Sequence, residues 1–414
     1  MLQSLTTVEL SNGARLHVLP AGQHGIVAVE VWAAVGAGDE PQHLRGISHL
    51  LEHLMFRGTE EIPDGEFDAV VEDLGVKANA WTWFDTTAYT AIAPVEALGE
   101  ILRLEADRFQ NLQITEDVFQ TERDVVLNER SLTADSDPNA LAQEHLDRML
   151  FGEGPYAHPV IGYRENIAAL TREQVTNWYR QHYAPSELDL FIIGDVKAED
   201  AVTLAQATFG RLPAANAPRA PRPSSQPYRS GLVESIKLAV AEPLIMMAWG
   251  REPRSDLKAA AVWKMMGEWL TFARGGALRK ELEYNRRLVL EQQFYINDHR
   301  LGHSGLWEAT PRDGVDSKEV VEAFYATMRT LAEEGPSAEA MDAALVRILA
   351  YYAACTTPWL VTRQLGTALH DTGSLQGLVG ELDALKAVTA DDLRALAARL
   401  ADPSSSVLLY VSPE

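Results

Sequence analysis

His49 and His53 stand four residues apart in the run Gly46-Ile47-Ser48-His49-Leu50-Leu51-Glu52-His53. On a helix this spacing turns both imidazoles to one face, one turn apart, where their nitrogens can reach a single zinc ion at about 2.0–2.1 Å. Glu52, three residues after His49, falls at the edge of that face, near enough to act as a base without ligating. A catalytic zinc takes three protein ligands and keeps a fourth position open, so one more ligand must come from elsewhere. The segment TERDVVLNERSL offers Glu122 and Glu129, seven residues and so two helical turns apart on one face. Glu129 lies 76 positions beyond His53. Such a set can perform metal-assisted hydrolysis, with Glu52 as the proton acceptor. Two plainer readings compete. The histidine pair could sit on a salt-bridged helix that binds nothing, and acidic helix faces like that of Glu122 and Glu129 are mostly solvated.

Other residues carry weaker signals. His299 and His303 are also four apart, but INDHRLGHSGLW reads as strand and turn, where a hydrogen-bonded pair is expected rather than a second metal. His158 precedes Pro159 and reads as a loop brace; Cys355, the single cysteine, reads as core filler. Trp81, Trp83 and Phe84 suit substrate contact and packing equally.

A helix over about 44–57 must present the histidines, followed by another near 65–74. Strands are predicted near 7–19, 25–37, in VKANAWTW and TTAYTAIA, and in SELDLFIIGDV; helices near 95–110, 116–133, 138–149 and 171–182, and in AEDAVTLAQATFG. Between Arg211 and Gly231 lie Pro213, Pro218, Pro221, Pro223 and Pro227, the composition of a linker. Beyond it the same rhythm returns: strands in LVESIKLAV, PLIMMAWG, LVLEQQFYIN, SGLWEATPR and SSVLLYVS, and helices near 255–284, 315–334, 336–355, 359–371 and 390–400. The fold class expected is α+β, two similar domains of mixed, largely antiparallel sheet flanked by helices and related by internal duplication. The domains are residues 1–210, carrying the candidate zinc site, a Pro-rich linker over 211–231, and 232–414.

The chain has 414 residues, ample for two such cores. A net charge of −23 argues against nucleic acid, whose phosphates need clustered Lys and Arg, and only hints at basic peptides as ligands. A single cysteine excludes an internal disulfide framework and a multi-thiolate metal site. No apolar run is long enough to span a membrane. MLQSLTTVELSNGARLHVLP reads as a strand pair about Asn12-Gly13 rather than a secretory signal, which leaves cytoplasm and periplasm both open.

The pattern H-x-x-E-H is the inverzincin motif, and GISHLLEHLMFRGT resembles the zinc helix of the pitrilysin/mitochondrial processing peptidase family, peptidase family M16. The resemblance implies one zinc ion per chain held by His49, His53 and Glu129, with Glu52 as general base and Glu122 tuning the site electrostatically. GVKANAWTWFDTTAYTAIAP resembles the family's strand beside the metal, whose edge pairs with an extended substrate. Asn79, Ala80 and Trp81 fall in its substrate-contacting part. YAHPVIGYRENIAALTREQVTNWYRQHYAPSELDLFIIGDV resembles the end of the family's first domain. The likeness is dense from about residue 6 to 208, and the length suits the short two-domain subfamily whose members work as dimers around a clam-shell chamber.

One departure stands out. The family's second half often carries an Arg and a Tyr seven residues apart in a segment like ELREKRGLAYSV, which holds substrate near the zinc. The matching positions here are Glu283 and Leu290, unless the register is shifted. The resemblance therefore implies a zinc endopeptidase acting on peptides or unfolded segments, as the metal-bearing subunit of a dimer, with a homologous partner supplying the Arg/Tyr pair. A non-catalytic assembly subunit that keeps the fold is the rival, and the complete set of His49, Glu52, His53 and Glu129 argues against it.

Overall fold

The computed structural model describes residues 4–22, 24–214, 222, 227–272, 275–301 and 303–414. In chain order the first strands are β1 (Thr6–Glu9), β2 (Arg15–Pro20) and β3 (Ile26–Ala33). Helices α1 (Ile47–Leu54) and α2 (Phe67–Asp73) follow, then the hairpin of β4 (Lys77–Thr82) and β5 (Thr87–Pro94). Next come α3 (Leu98–Asn111), α4 (Glu116–Arg130), α5 (Pro138–Phe151), α6 (Arg164–Ala169) and α7 (Arg172–His182). Strand β6 (Leu188–Gly194) and α8 (Ala198–Ala207) complete this part. After it lie β7 (Leu232–Leu238), β8 (Leu244–Arg251), α9 (Leu257–Thr271), α10 (Ala277–Arg279), β9 (Val289–Asn297) and β10 (His303–Pro311). The end is helical, with α11 (Ser317–Glu334), α12 (Ala338–Ala354), α13 (Pro358–Thr372), α14 (Gly377–Lys386) and α15 (Ala390–Leu400), closed by β11 (Val407–Pro413).

By contacts the chain forms two compact units: Met1–Leu132 with His158–Pro223 and Thr356–His370, and Thr133–Ala157 with Ser224–Cys355 and Asp371–Glu414. The grouping thus crosses the linear division at the Pro-rich stretch twice, because the segment bearing α5 belongs with the second unit and most of α13 with the first. Of the proline-rich residues, Pro218, Pro221 and Pro223 lie outside the described set.

The sheet of the first unit has the order β1-β2-β6-β3-β5-β4, with β2 parallel to β6 and the other pairs antiparallel. The second sheet runs β7-β11-β8-β10-β9, with β7 parallel to β11. Strands two to six of the first sheet and all five of the second therefore repeat one another in order and direction, which is the topology of a duplicated α+β unit. In each repeat one edge strand is the first strand of a hairpin, β4 paired with β5 or β9 paired with β10.

Alternation along the strands sorts residues to two faces. On one face of the first sheet Leu16, Val18, Val27, Val29, Val31, Leu190 and Ile192 join the core formed with α1, α3 and α7. The opposite face carries His17, Glu30, Trp32, Trp81, Asp189 and Phe191, all but Trp81 fully buried. Helix α13 covers it with a stripe of Trp359, Arg363, Gly366 and His370. Arg363 lies over Trp81 at 5.3 Å, and His370 reaches Asp189 at 3.2 Å. Asp189 also receives Arg15 in two hydrogen bonds and His17 at 2.9 Å, so its carboxylate is held well below the usual range despite burial. At Gly366 an added Cβ would run into the Trp32 ring. Gly366→Ala is expected to cost about 1–3 kcal/mol by overpacking, more than the roughly 1 kcal/mol of helix propensity it gains. Thermal denaturation checks this, and an unchanged or raised melting temperature contradicts the tight seat of α13.

The helix predicted over 255–284 is interrupted. Helix α9 ends at Thr271, and a short helical turn resumes at Ala277 and runs into a π-helical stretch, Lys280–Asn285. Helices α6 and α14 are additions to the elements expected from the sequence. No single helix among the described residues is long and apolar enough to cross a membrane.

Candidate metal centre

Helix α1 follows Gly46, which adopts φ 93°, a left-handed conformation that favours glycine; a Cβ there would also approach the Ile161 carbonyl to 2.6 Å. The first N–H groups of a helix need acceptors from outside it. Glu40 supplies them, accepting from the amides of Gly46 at 2.6 Å and Ser48 at 2.8 Å. Burial pushes the Glu40 carboxyl up to about 8, while those two backbone donors resist. Ile47, Leu50, Leu51 and Leu54 lock the helix into the core, which leaves His49, Glu52 and His53 on its remaining surface. Helix α4 packs against α1. Its Thr115 caps the N-terminus by accepting from Val118, and Phe119, Glu122, Val126 and Arg130 are its buried residues.

The two helices bring their side chains together. The rings of His49 and His53 lie 4.8 Å apart, and one nitrogen of each lies within 4.8 Å of a Glu129 carboxylate oxygen and of the other. His53 Nε2 is 3.3 Å from Glu129 and His49 Nε2 3.9 Å from it. Glu122 stands elsewhere: its Oε2 is 3.4 Å from the other nitrogen of His53, Nδ1, and its Oε1 is 2.8 Å from Arg57 Nε. The Glu52 carboxylate is buried and accepts a 2.5 Å hydrogen bond from the Thr82 hydroxyl at the end of β4.

Electrostatics prepare the nitrogens differently. Burial and the neighbouring His53 lower the His49 pKa to about 4, so at neutral pH it is an uncharged imidazole. Burial also opposes charge on His53, but hydrogen bonds to Glu122 and Glu129 outweigh it and raise its pKa to about 9. Burial raises Glu52, while the Thr82 hydroxyl and His53 pull it back. Two imidazoles and a carboxylate within one ion's reach fit the donor preference of zinc. The nitrogens that face Glu129 are Nε2 of both rings. A ligating His53 would have its far nitrogen fixed by Glu122, the usual outer support of such a ligand.

Among the described residues no other group of three His, Cys, Asp or Glu is placed to hold a metal. Helix α9 follows β8 as α1 follows β3, and there Lys264, Gly267 and Glu268 repeat the spacing of His49, Glu52 and His53. Lys264 is paired with Glu381, and Glu268 accepts from Arg347 at 2.9 Å, so that helix carries ion pairs instead of ligands. His303 is bonded to Asp298 and to the Arg254 amide, and His299 stacks on Tyr156 at 4.6 Å.

Of the predicted substrate residues, Asn79 is exposed on the edge strand β4 and Ala80 packs on the core beside α1. Trp81 turns the other way, where its ring meets Trp32 and Arg363. A groove of about 680 Å³ runs along β4, lined by Asp68, Glu72, Lys77, Asn79, Trp81 and Trp359 among others. Glu40 and Thr82 are absent from the residues singled out in the sequence. Period-two alternation in ANAWT would have put Thr82 on the same face as Ala80.

Residues 19–164 match the family model described as insulinase (peptidase family M16), and residues 169–346 match that of the peptidase M16 inactive domain. The chain belongs to peptidase family M16. It is 30% identical over 207 residues to the zinc protease PqqE of Helicobacter pylori, covering 50% of this chain and 47% of that one. It is 29% identical over 208 residues to mitochondrial-processing peptidase subunit beta of Neurospora crassa, covering 50% and 44%. The matched part thus spans about half the length of these curated relatives. The fold is shared with the crystal structure of a protease from Helicobacter pylori, with TM-score 0.92, 22% identity and 99% of both chains covered. Family and relatives support a metallopeptidase, and the relatives' names associate the family with zinc. The inactive-domain match lies wholly beyond the His49, Glu52, His53 and Glu129 cluster.

Proposed function

We propose that the chain is a zinc-dependent endopeptidase that hydrolyses peptides or unfolded segments. The observation that carries this reading is the convergence of His49, His53 and Glu129 within one ion's reach, with a buried carboxylate, Glu52, one residue from His53 on the same helix. His49, His53 and Glu129 would hold one zinc per chain, and Glu122, backed by Arg57, would orient His53 through Nδ1. Zinc held there would supply Lewis acidity, polarising a scissile carbonyl and acidifying a water molecule. Glu52 takes the proton from the attacking water and passes it to the departing amine nitrogen. The exposed edge of β4 gives an extended peptide main-chain hydrogen bonds that do not depend on its sequence, with Asn79 and Ala80 as the contacting positions.

Substrate anchoring from the second repeat is where this chain differs. Glu283 and Leu290 occupy the positions of the Arg/Tyr pair. Arg287 adopts φ 53°, a left-handed conformation suited to the glycine that the compared segment has at that position, which supports this register. Glu283 is itself engaged by Arg279 at 3.0 Å. The chain is accordingly read as the metal-bearing member of a dimer, with a homologous partner supplying Arg and Tyr; one relative is by name a subunit.

Co-purification from native cells, followed by hydrolysis of a fluorogenic peptide library, tests both parts. Chelator is expected to abolish hydrolysis and zinc to restore it. Adding the co-purified partner to the isolated chain is expected to raise turnover by on the order of 10²-fold, the usual cost of a misplaced substrate. Hydrolysis indifferent to chelator contradicts the metallopeptidase, and full activity from the chain alone contradicts the division of labour.

A further inference from the structure

Resting on the peptidase reading, we propose that Thr82 is the positioning residue of the general base, fixing the Glu52 carboxylate so that one oxygen is kept for the reacting proton. A glutamate on an eight-residue helix has three side-chain torsions to fix, and Thr82 engages Glu52 through its hydroxyl and its backbone amide. Thr82 comes from a different element, and its backbone is set by pairing with Thr87 across the β4–β5 hairpin. Its β-branched side chain has few rotamers, so the hydroxyl position follows from the strand. An ionised carboxylate only accepts hydrogen bonds, so in the 2.5 Å contact the hydroxyl donates and Oε2 accepts. Glu52 is 9% exposed and Thr82 7%. Water therefore does not compete for the bond, and the low local dielectric strengthens it.

Oε1 is then the oxygen that acts. The water O–H bond breaks, the Oε1–H bond forms, and the electron pair left on the water oxygen attacks the carbonyl carbon. The same proton later leaves Oε1 for the amine nitrogen as the C–N bond breaks, so Glu52 is regenerated. Thr82 also ends the strand whose free edge is assigned to the substrate. One strand thus sets the position of both the scissile bond and the base, and a shift of β4 moves the two together.

Tagged Thr82→Val, Thr82→Ser and Glu52→Gln variants, purified from native cells with their bound partner, test this by zinc content, kcat and KM on the fluorogenic peptide library, and crystal structures. Thr82→Val keeps the shape and removes the hydroxyl. It is expected to retain zinc and KM, lower kcat by about 10- to 100-fold, as outer-support substitutions do, and show the Glu52 side chain in a changed rotamer. Thr82→Ser is expected to restore most of kcat. Adding Thr82→Val to Glu52→Gln is expected to cost nothing more, since the group it positions is gone. Thr82→Ala serves the same comparison should the valine variant not fold. Wild-type turnover lost in Glu52→Gln but unchanged in Thr82→Val overturns the role of Thr82 alone, as does a loss that Thr82→Ser fails to rescue. Unchanged turnover in Glu52→Gln overturns the peptidase reading and this role with it.

Discussion

Glu52→Gln is expected to keep its metal and its fold while losing about 10²–10⁴-fold in kcat, the usual contribution of a positioned proton acceptor. The amide has nearly the shape of the carboxylate and still offers the Thr82 hydroxyl an oxygen, so packing at the end of β4 is preserved. What disappears is the lone pair that takes the proton. The carboxylate it replaces is buried, and burial disfavours its charge. The variant should therefore melt no lower than the wild type, which separates a chemical loss from an unfolded one. Metal analysis, thermal denaturation and steady-state kinetics on one preparation make the comparison. Lost zinc would make Glu52 structural, and unchanged turnover would move the base elsewhere.

Removing the third ligand should act on the metal itself. Glu129→Ala is expected to weaken zinc binding by at least on the order of 10²-fold, whereas Glu122→Gln should cost about 10- to 100-fold, as outer supports do. The contrast follows from position: Glu129 faces a nitrogen of both histidines, whereas Glu122 reaches only the far side of His53. Without metal, the two carboxylates hold a proton on His53 up to about pH 9. That proton competes with zinc, so the wild-type affinity should fall as pH drops below about 9. In Glu129→Ala one of the groups retaining the proton is gone, and this competition should begin at a lower pH. Titration with a fluorescent zinc indicator at several pH values reads both effects. Equal losses for the two variants would contradict the separate roles.

The candidate site is legible in the sequence where its geometry is local. The interval of four between His49 and His53 becomes a shared helix face whatever the rest of the chain does, and the interval of seven likewise puts Glu122 and Glu129 on one side of α4. The alternating strands are equally legible, because a sheet with one apolar face writes a period of two into the sequence. What escapes comes from pairings distant in sequence. Nothing in the run around Trp359, Arg363, Gly366 and His370 says that it will lie across the sheet face bearing Trp32 and Asp189. The burial of a carboxylate such as Asp189 makes sense only once that helix is in place. The cap that Glu40 gives α1 and the bond from Thr82 to Glu52 are hidden for the same reason. Helix α14 escapes because Gly377 and Gly380 depress its local propensity, and its packing against α9 outweighs them.

The most direct measurement is an anomalous difference map collected at the zinc absorption edge from crystals of the protein purified without chelator. A single peak at about 2.0–2.1 Å from one nitrogen each of His49 and His53 and from a Glu129 oxygen is the result expected. A zinc-replete crystal with its peak elsewhere, or with Glu129 turned away from both histidines, would contradict the metal centre on which the proposed chemistry rests.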